Sequence, residues 1–219
     1  MKLPSKTLEK KLFASGYRYV IGVDEVGMGC LAGPVVVCAV AFKKKFFNHR
    51  HTKLHWLRDS KLLLPKQREK YARELFQVPG FKFQVSYAYP RTIDKVNVYQ
   101  ASREAMRKAI KKITKGIFVS GYKDALCMVL VDGKTKIEGL NIEQIPIVKG
   151  DRKVFAIACA SIIAKVHRDK MMVRYAKKYP GYGFEKHKGY GTKYHQAQLV
   201  SLGPCEIHRK SFAPVAKLI

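Results

Sequence analysis

The chain has 219 residues, 43 of them Lys or Arg and 16 Asp or Glu, for a formal net charge of +27. Apolar side chains make up 47% of it, enough to bury a core, so the charge is not that of a disordered tail. A surplus of this size excludes an anionic, freely diffusing metabolic enzyme as the default. It calls for a polyanionic partner, and nucleic acid is the first candidate.

Arg18 to Asp24 reads as a β-strand that ends in carboxylates, and Pro34 to Phe42 as a second, central strand rich in β-branched residues. The Gly27–Gly33 turn between them is short enough to make the two antiparallel neighbours. A basic, His-containing loop follows from Lys43 to Trp56. Asp59-Ser60-Lys61 leads into a helix at Pro65–Gln77 that opens on its proline. Phe81 to Tyr89 alternates as a third strand. Val98 to Lys115 is helical, with Val98, Ala101, Ala105, Ala109 and Ile113 on one face and Arg103, Arg107, Lys111 and Lys115 in a basic row. That row is either a solvated face or a phosphate-facing one. Leu126 to Val131 is a buried strand ending at Asp132-Gly133, and Gln144 to Val148 a short strand ending at Lys149-Gly150-Asp151. Val154 to Tyr179 is a long Ala-rich helix stopped by Pro180, and the tail combines loop, a short helix and a basic end. Strands first, then strand–helix alternation, imply one α/β domain over residues 1–219 with a mixed sheet.

The compartment follows from the cysteines at 30, 38, 127, 159 and 205. They are odd in number, scattered and without a CxxC pair, so they suit neither a disulfide framework nor a zinc site and point to a reducing cytoplasm. The first twenty residues hold charges but no apolar stretch of the secretory kind. Val26 to Phe42 is uncharged, but three glycines and Pro34 interrupt it, so two buried strands around a turn are expected there and not a membrane span.

With so few acids, their placement is informative. Asp24 and Glu25 end one strand, Asp132 ends another, and Asp151 follows a third. Sites in open α/β sheets form outside the carboxyl ends of strands. Four carboxylates gathered there would repel one another, and hard divalent cations are the ordinary remedy. A pair of such ions clamps the attacking and leaving oxygens of phosphoryl transfer. Each acid alone also has a structural reading: a turn at Asp132-Gly133, a helix cap at Asp151. A nuclease that cuts DNA without needing a ribose, or a non-enzymatic RNA-binding protein, fits the charge as well.

Five blocks in order narrow the field: YVIGVDEVGMGCLAGPVVVCAV, LRDSKLL, VDGK, IVKGDRKVFAIACASIIAKVHRDKMM, and YPGYGFEKHKGYGTKYH with IHRKSFAPV. Together they resemble bacterial ribonuclease HII of the type 2 ribonuclease H family, from about Tyr19 to Val215. The resemblance implies a ribonuclease H-like fold, with a five-stranded mixed sheet, flanking helices and a C-terminal substrate-binding extension over about 181–219. It implies an endonuclease that hydrolyses RNA in RNA–DNA hybrids and cuts 5′ of single ribonucleotides in duplex DNA, leaving 3′-hydroxyl and 5′-phosphate ends. It assigns Asp24, Glu25, Asp132 and Asp151 as catalytic ligands of two Mg²⁺ or Mn²⁺ ions. Substrate-binding positions under the same resemblance are Gly27, Met28, Gly29, Ser60, Lys61, Lys149, Lys165, Arg168 and Tyr190. Tyr190 packs on the sugar at the RNA–DNA junction, and Ser60 and Lys61 bind phosphate.

Met28 and Cys30 depart from the family pattern, which reads Gly-Arg-Gly-Pro. The two glycines keep the backbone role, but Met cannot replace a bidentate guanidinium contact. The working unit is expected to be a cytoplasmic monomer. His51, His55, His187, His195 and His208 are expected at the surface or facing phosphate, because this chemistry needs no side-chain nucleophile.

Overall fold

The computed structural model describes residues 3–48, 54, 57, 59–118 and 126–219. Five strands form its frame: β1 (Tyr19–Val26), β2 (Val35–Lys43), β3 (Lys82–Ala88), β4 (Cys127–Asp132) and β5 (Glu143–Ile147). They make one sheet in the order β3-β2-β1-β4-β5. β1 pairs antiparallel with β2, and β2 with β3, whereas β1, β4 and β5 run parallel. This is the mixed sheet expected, and each expected strand lies within two residues of the observed one. The Gly27–Gly33 turn returns the chain so that Val26 pairs with Val36.

Period-two alternation sends the strands' side chains to two cores. On one face Val20, Val36, Cys38, Val40 and Phe42 pack against α7 (Phe155–Lys178), with α1 (Thr7–Ala14) and α3 (Pro65–Phe76) alongside. On the other, Tyr19, Ile21, Val23, Val35, Val37 and Ala39 meet α5 (Val98–Phe118) and α4 (Pro90–Val96). Ala101, Ala105, Ala109 and Ile113 are the buried stripe of α5, as their spacing predicts. β2 is apolar and buried on both faces, which explains its unbroken hydrophobic run. Gly22 sets how closely α7 lies on the sheet. A Cβ there would stand 2.3 Å from the Ala156 carbonyl carbon, so any side chain would have to lift the helix. Overpacking of that kind costs about 1–3 kcal/mol or more.

The basic segment after β2 departs from the expected loop. It begins with a short helix, α2 (Lys44–Asn48), whose Phe46 and Phe47 are buried with Phe13, Phe42 and Phe155. Adjacent aromatics outweighed the surrounding lysines. α1 was not legible either. It buries Leu12 and Phe13, and its Glu9 accepts a hydrogen bond from the Ala156 N–H at 2.9 Å, capping α7 from another element. The C-terminal helices α8 (Phe184–His187), α9 (Lys193–Leu202) and α10 (Ala213–Ala216) follow α7. Tyr182, Phe184 and Ile207 join Ala32 and Met172 in a separate small core. Among the described residues no helix is long and apolar enough to cross a membrane.

Candidate active site

β1, β4 and β5 are parallel neighbours, so their carboxyl ends share one edge of the sheet. Val23 pairs with Val131, which puts Asp24 level with Asp132. Beyond β5, Lys149 takes a left-handed conformation (φ 55°) and turns the chain into α6 (Gly150–Lys153). The Gly150 N–H donates to Asp132 Oδ1 at 2.6 Å, which draws Asp151 toward the same edge. Asp24 is 4% exposed, accepts from the Glu25 N–H at 2.7 Å and is hydrogen-bonded by Ser161 of α7.

The electrostatics are those of crowded acids. Burial, then Glu25 and Asp132, hold the Asp24 carboxyl well above the usual carboxylate range. Burial and then Asp132 push Glu25 up to about 7, against the pull of Arg103 and Lys61. Asp151 is raised by burial, Asp132 and Asp59, while Lys61 and Arg152 oppose the shift. Among the described residues Glu25 Oε2 is buried and finds no hydrogen-bond partner. Among the described residues no three His, Cys, Asp or Glu side chains stand in a finished ligand cage. The fit to a hard divalent ion rests instead on the all-oxygen donor set, its mutual repulsion and the orphaned Oε2.

The Asp59-Ser60-Lys61 segment borders these acids. Asp59 is buried, accepts from the Lys61 N–H at 2.9 Å and takes the Arg152 Nε at 2.9 Å. Lys61 is exposed, with its Nζ 3.8 Å from Asp151 Oδ2. Ser60 corrects the expectation of a phosphate contact. It is buried and shares a 2.9 Å hydrogen bond with Ser161 Oγ, so it supports the hydroxyl that holds Asp24. Lys149 is exposed at the same edge.

Arg168 is a second correction. It is wholly buried: its Nε donates to Pro34 O at 3.1 Å, Nη1 to Lys188 O at 2.7 Å and Nη2 to Ala32 O at 3.1 Å. Committed to three carbonyls, it does not reach out to a phosphate; it joins the Gly27–Gly33 loop to the turn before Tyr190. Gly27 (φ 100°) is required here, since a Cβ would lie 2.2 Å from Arg168 Nε. Arg209, also wholly buried, holds the same loop, donating to Gly27 O at 2.6 Å, Met28 O at 2.7 Å and Gly33 O at 2.9 Å. Gly29 is exposed at the tip. Met28 is half-buried against the α5 core and lines a cavity of about 260 Å³ with Glu25, Arg103 and Asp132.

Tyr190 is 41% exposed, with Lys165 Nζ and the Arg168 guanidinium each 6.0 Å from its ring centre. Lys165 is mostly buried and paired with Asp169 Oδ1 at 2.7 Å. One α-helical turn separates Lys165 from Ser161, so one face of α7 runs from the acids to Tyr190. The histidines of this region are a third correction. His195 and His208 are buried and bonded to each other, and His187 stacks on His195; none presents an open ring to a phosphate. His51 and His55 lie outside the described residues.

Ser161, Arg209, Asp59 and the buried histidines make contacts around these acids and the glycine loop that sequence reasoning missed. Ser161 had one available signal, a lone hydroxyl in the otherwise apolar run Ala156–Ala164.

A family model described as Ribonuclease HII matches residues 21–215. A ribonuclease HII of Caldicellulosiruptor bescii is 45% identical over 205 residues, covering 94% of this chain and 91% of that protein. One from Acholeplasma laidlawii is 43% identical across 100% of this chain and 99% of its own. In fold, the chain is similar to the ribonuclease H2 of Pyrococcus horikoshii (TM-score 0.70, 23% identity, 91% of this chain and 96% of that one). It is similar also to the Bst ribonuclease HIII solved with Mn²⁺ (TM-score 0.69, 18% identity, 93% and 70%). The chain therefore belongs to the ribonuclease HII family and is an endoribonuclease of the ribonuclease H type, acting on RNA paired with DNA.

Proposed function

We propose that this endoribonuclease also cuts duplex DNA 5′ of a single embedded ribonucleotide, leaving 3′-hydroxyl and 5′-phosphate ends, with Asp24, Glu25, Asp132 and Asp151 holding two Mg²⁺ or Mn²⁺ ions. The observation that carries the reading is the gathering of these four acids at the ends of three parallel strands. Bound there, such ions lower the pKa of an attacking water and stabilise the leaving 3′-oxygen. Ser161 and the Glu25 amide orient Asp24, and the Gly150 amide orients Asp132. Lys61 and Lys149 lie exposed beside the acids and take the flanking phosphates. The Gly27–Gly29 backbone, held from behind by Arg209, approaches the ribose, and the exposed Tyr190 ring packs on that sugar. The 2′-hydroxyl is the group that separates this substrate from plain DNA. The working unit we take to be a cytoplasmic monomer, and its five free cysteines suit a reducing compartment.

The test is a panel of three duplexes: all-DNA, DNA with one ribonucleotide, and an RNA–DNA hybrid. Cleavage of the last two with Mg²⁺ or Mn²⁺ is expected, and none of the first. Asp132→Asn should lose about 10³-fold or more in rate on both, the scale of lost charge stabilisation at a reacting centre. Near-wild-type cleavage by Asp132→Asn, or efficient cutting of all-DNA, would sink the reading.

A further inference from the structure

We propose that His195 and His208 are positioning residues for ribose recognition: a one-directional hydrogen-bond chain runs from the Cys205 amide through both rings to the Tyr190 carbonyl and fixes the turn that presents Tyr190. The inference rests on the reading of Tyr190 as the residue that packs on the sugar.

Each link has a defined direction. The Cys205 N–H lies 2.9 Å from His208 Nδ1, nearer than the Cys205 sulfur (3.2 Å) and carbonyl oxygen (3.3 Å) beside the same nitrogen, and an amide can only donate. His208 Nδ1 is therefore unprotonated and its proton sits on Nε2. That Nε2 is 3.1 Å from His195 Nε2, which must accept. The His195 proton is thus on Nδ1 and is donated to Tyr190 O at 2.9 Å. Both rings are neutral and each tautomer is dictated by its neighbour. His187 repeats the logic beside them: it accepts the Gly189 N–H on Nδ1 at 3.1 Å, faces Tyr182 O with Nε2 at 2.7 Å, and stacks on His195 at 4.4 Å. The rings are enclosed by Phe184 and Tyr182, so they have no route to a phosphate.

The chain also links two parts of the substrate surface. His208 is followed by Arg209, whose amide donates to Leu31 O at 2.8 Å and whose guanidinium holds Gly27, Met28 and Gly33. The Cys205–Arg209 segment thus anchors the glycine loop through one side chain and Tyr190 through the next. Lys188 (φ 52°) and Gly189 (φ 85°) make the turn before Tyr190 one that needs such support.

The test is a double-mutant cycle on a duplex with one ribonucleotide at saturating Mg²⁺. His195→Leu should lose about tenfold or more in kcat/KM, the scale of a small misplacement of a binding group. His195→Asn, whose amide nitrogen reproduces the Nδ1 donor, should recover to within about threefold of wild type on the same scale. In a Tyr190→Ala background His195→Leu should cost less than about twofold, because it acts through the residue already removed. Equal losses in both backgrounds, an Asn variant as poor as Leu, or a fully active His195→Leu would overturn the inference. A fully active Tyr190→Ala would instead overturn the reading of Tyr190. Should His195→Leu not fold, ¹⁵N imidazole spectra of the wild-type enzyme decide: Nδ1–H at His195 and Nε2–H at His208 are expected, and the opposite tautomers refute the chain.

Discussion

Asp24 carries the largest electrostatic burden of any single residue at the site. It is buried, flanked by Glu25 and Asp132, and supported by the Glu25 amide and the Ser161 hydroxyl. Its ionised form is disfavoured in the folded protein, so catalytic fitness and stability pull in opposite directions. Asn keeps the shape, and its Oδ1 can still accept the Glu25 N–H. Asp24→Asn should therefore raise the melting temperature in chelator by about 2–4 °C, the equivalent of about 1 kcal/mol in a chain this size, while removing hybrid cleavage. A thermal melt beside a cleavage assay checks this, and a lowered melting temperature would contradict it. Met28 is the residue at which the expectation concerned chemistry lost. The structure adds a gain: a thioether packed against the α5 core beside Glu25.

At the scale of elements, the buried histidines give α9 and the preceding turn a pH dependence. Burial, then His195 and His187, lower His208 from 6.5 to about 4. Above pH 6.5 the ring is neutral whether the chain is folded or unfolded. As pH falls from about 6.5 to about 4 only the unfolded chain takes up the proton, so stability falls over that window. Asp24, Glu25, Asp151 and Glu9, whose pKa values are raised, act in the opposite sense. The check is therefore a difference: between pH 7.5 and 5, His208→Gln should lose less stability than wild type in denaturant melts. Tyr182, Cys205, His187 and His195 are the other titratable groups around that ring. Equal losses would exclude the assignment. The same region shows where sequence reading stops. The strands, α5 and α7 were legible because period two and period 3.6 survive in their apolar residues. The four acids were legible because so few exist. Ser60, Arg168, His195 and His208 were legible as residues but not in direction. A polar side chain's facing depends on contacts with residues more than a hundred positions away, as for Ser60 with Ser161 and Arg168 with Ala32 and Pro34. α2 was hidden because three lysines run directly into its two buried phenylalanines.

Across the whole molecule the 43 cations and 16 acids serve different ends. A quarter of the acids meet at one edge of the sheet, while Lys61, Lys149 and Arg152 are exposed close by. Duplex binding is therefore dominated by phosphate neutralisation and counterion release. Affinity for a hybrid should drop about 10³-fold or more between 50 and 200 mM salt if six or more phosphates are engaged. A titration at four salt concentrations gives the slope, and a flat profile would rule out phosphate contact as the main source of affinity.

The two guanidiniums behind the glycine loop have a kinetic consequence. Five of its carbonyls, from Gly27 to Pro34, are already engaged by Arg168 and Arg209. The loop's shape is thus set when the chain folds, not when a duplex arrives. On the proposed reading of this loop as a substrate contact, encounter involves no slow isomerisation of it, and the association rate is left to diffusion and long-range charge.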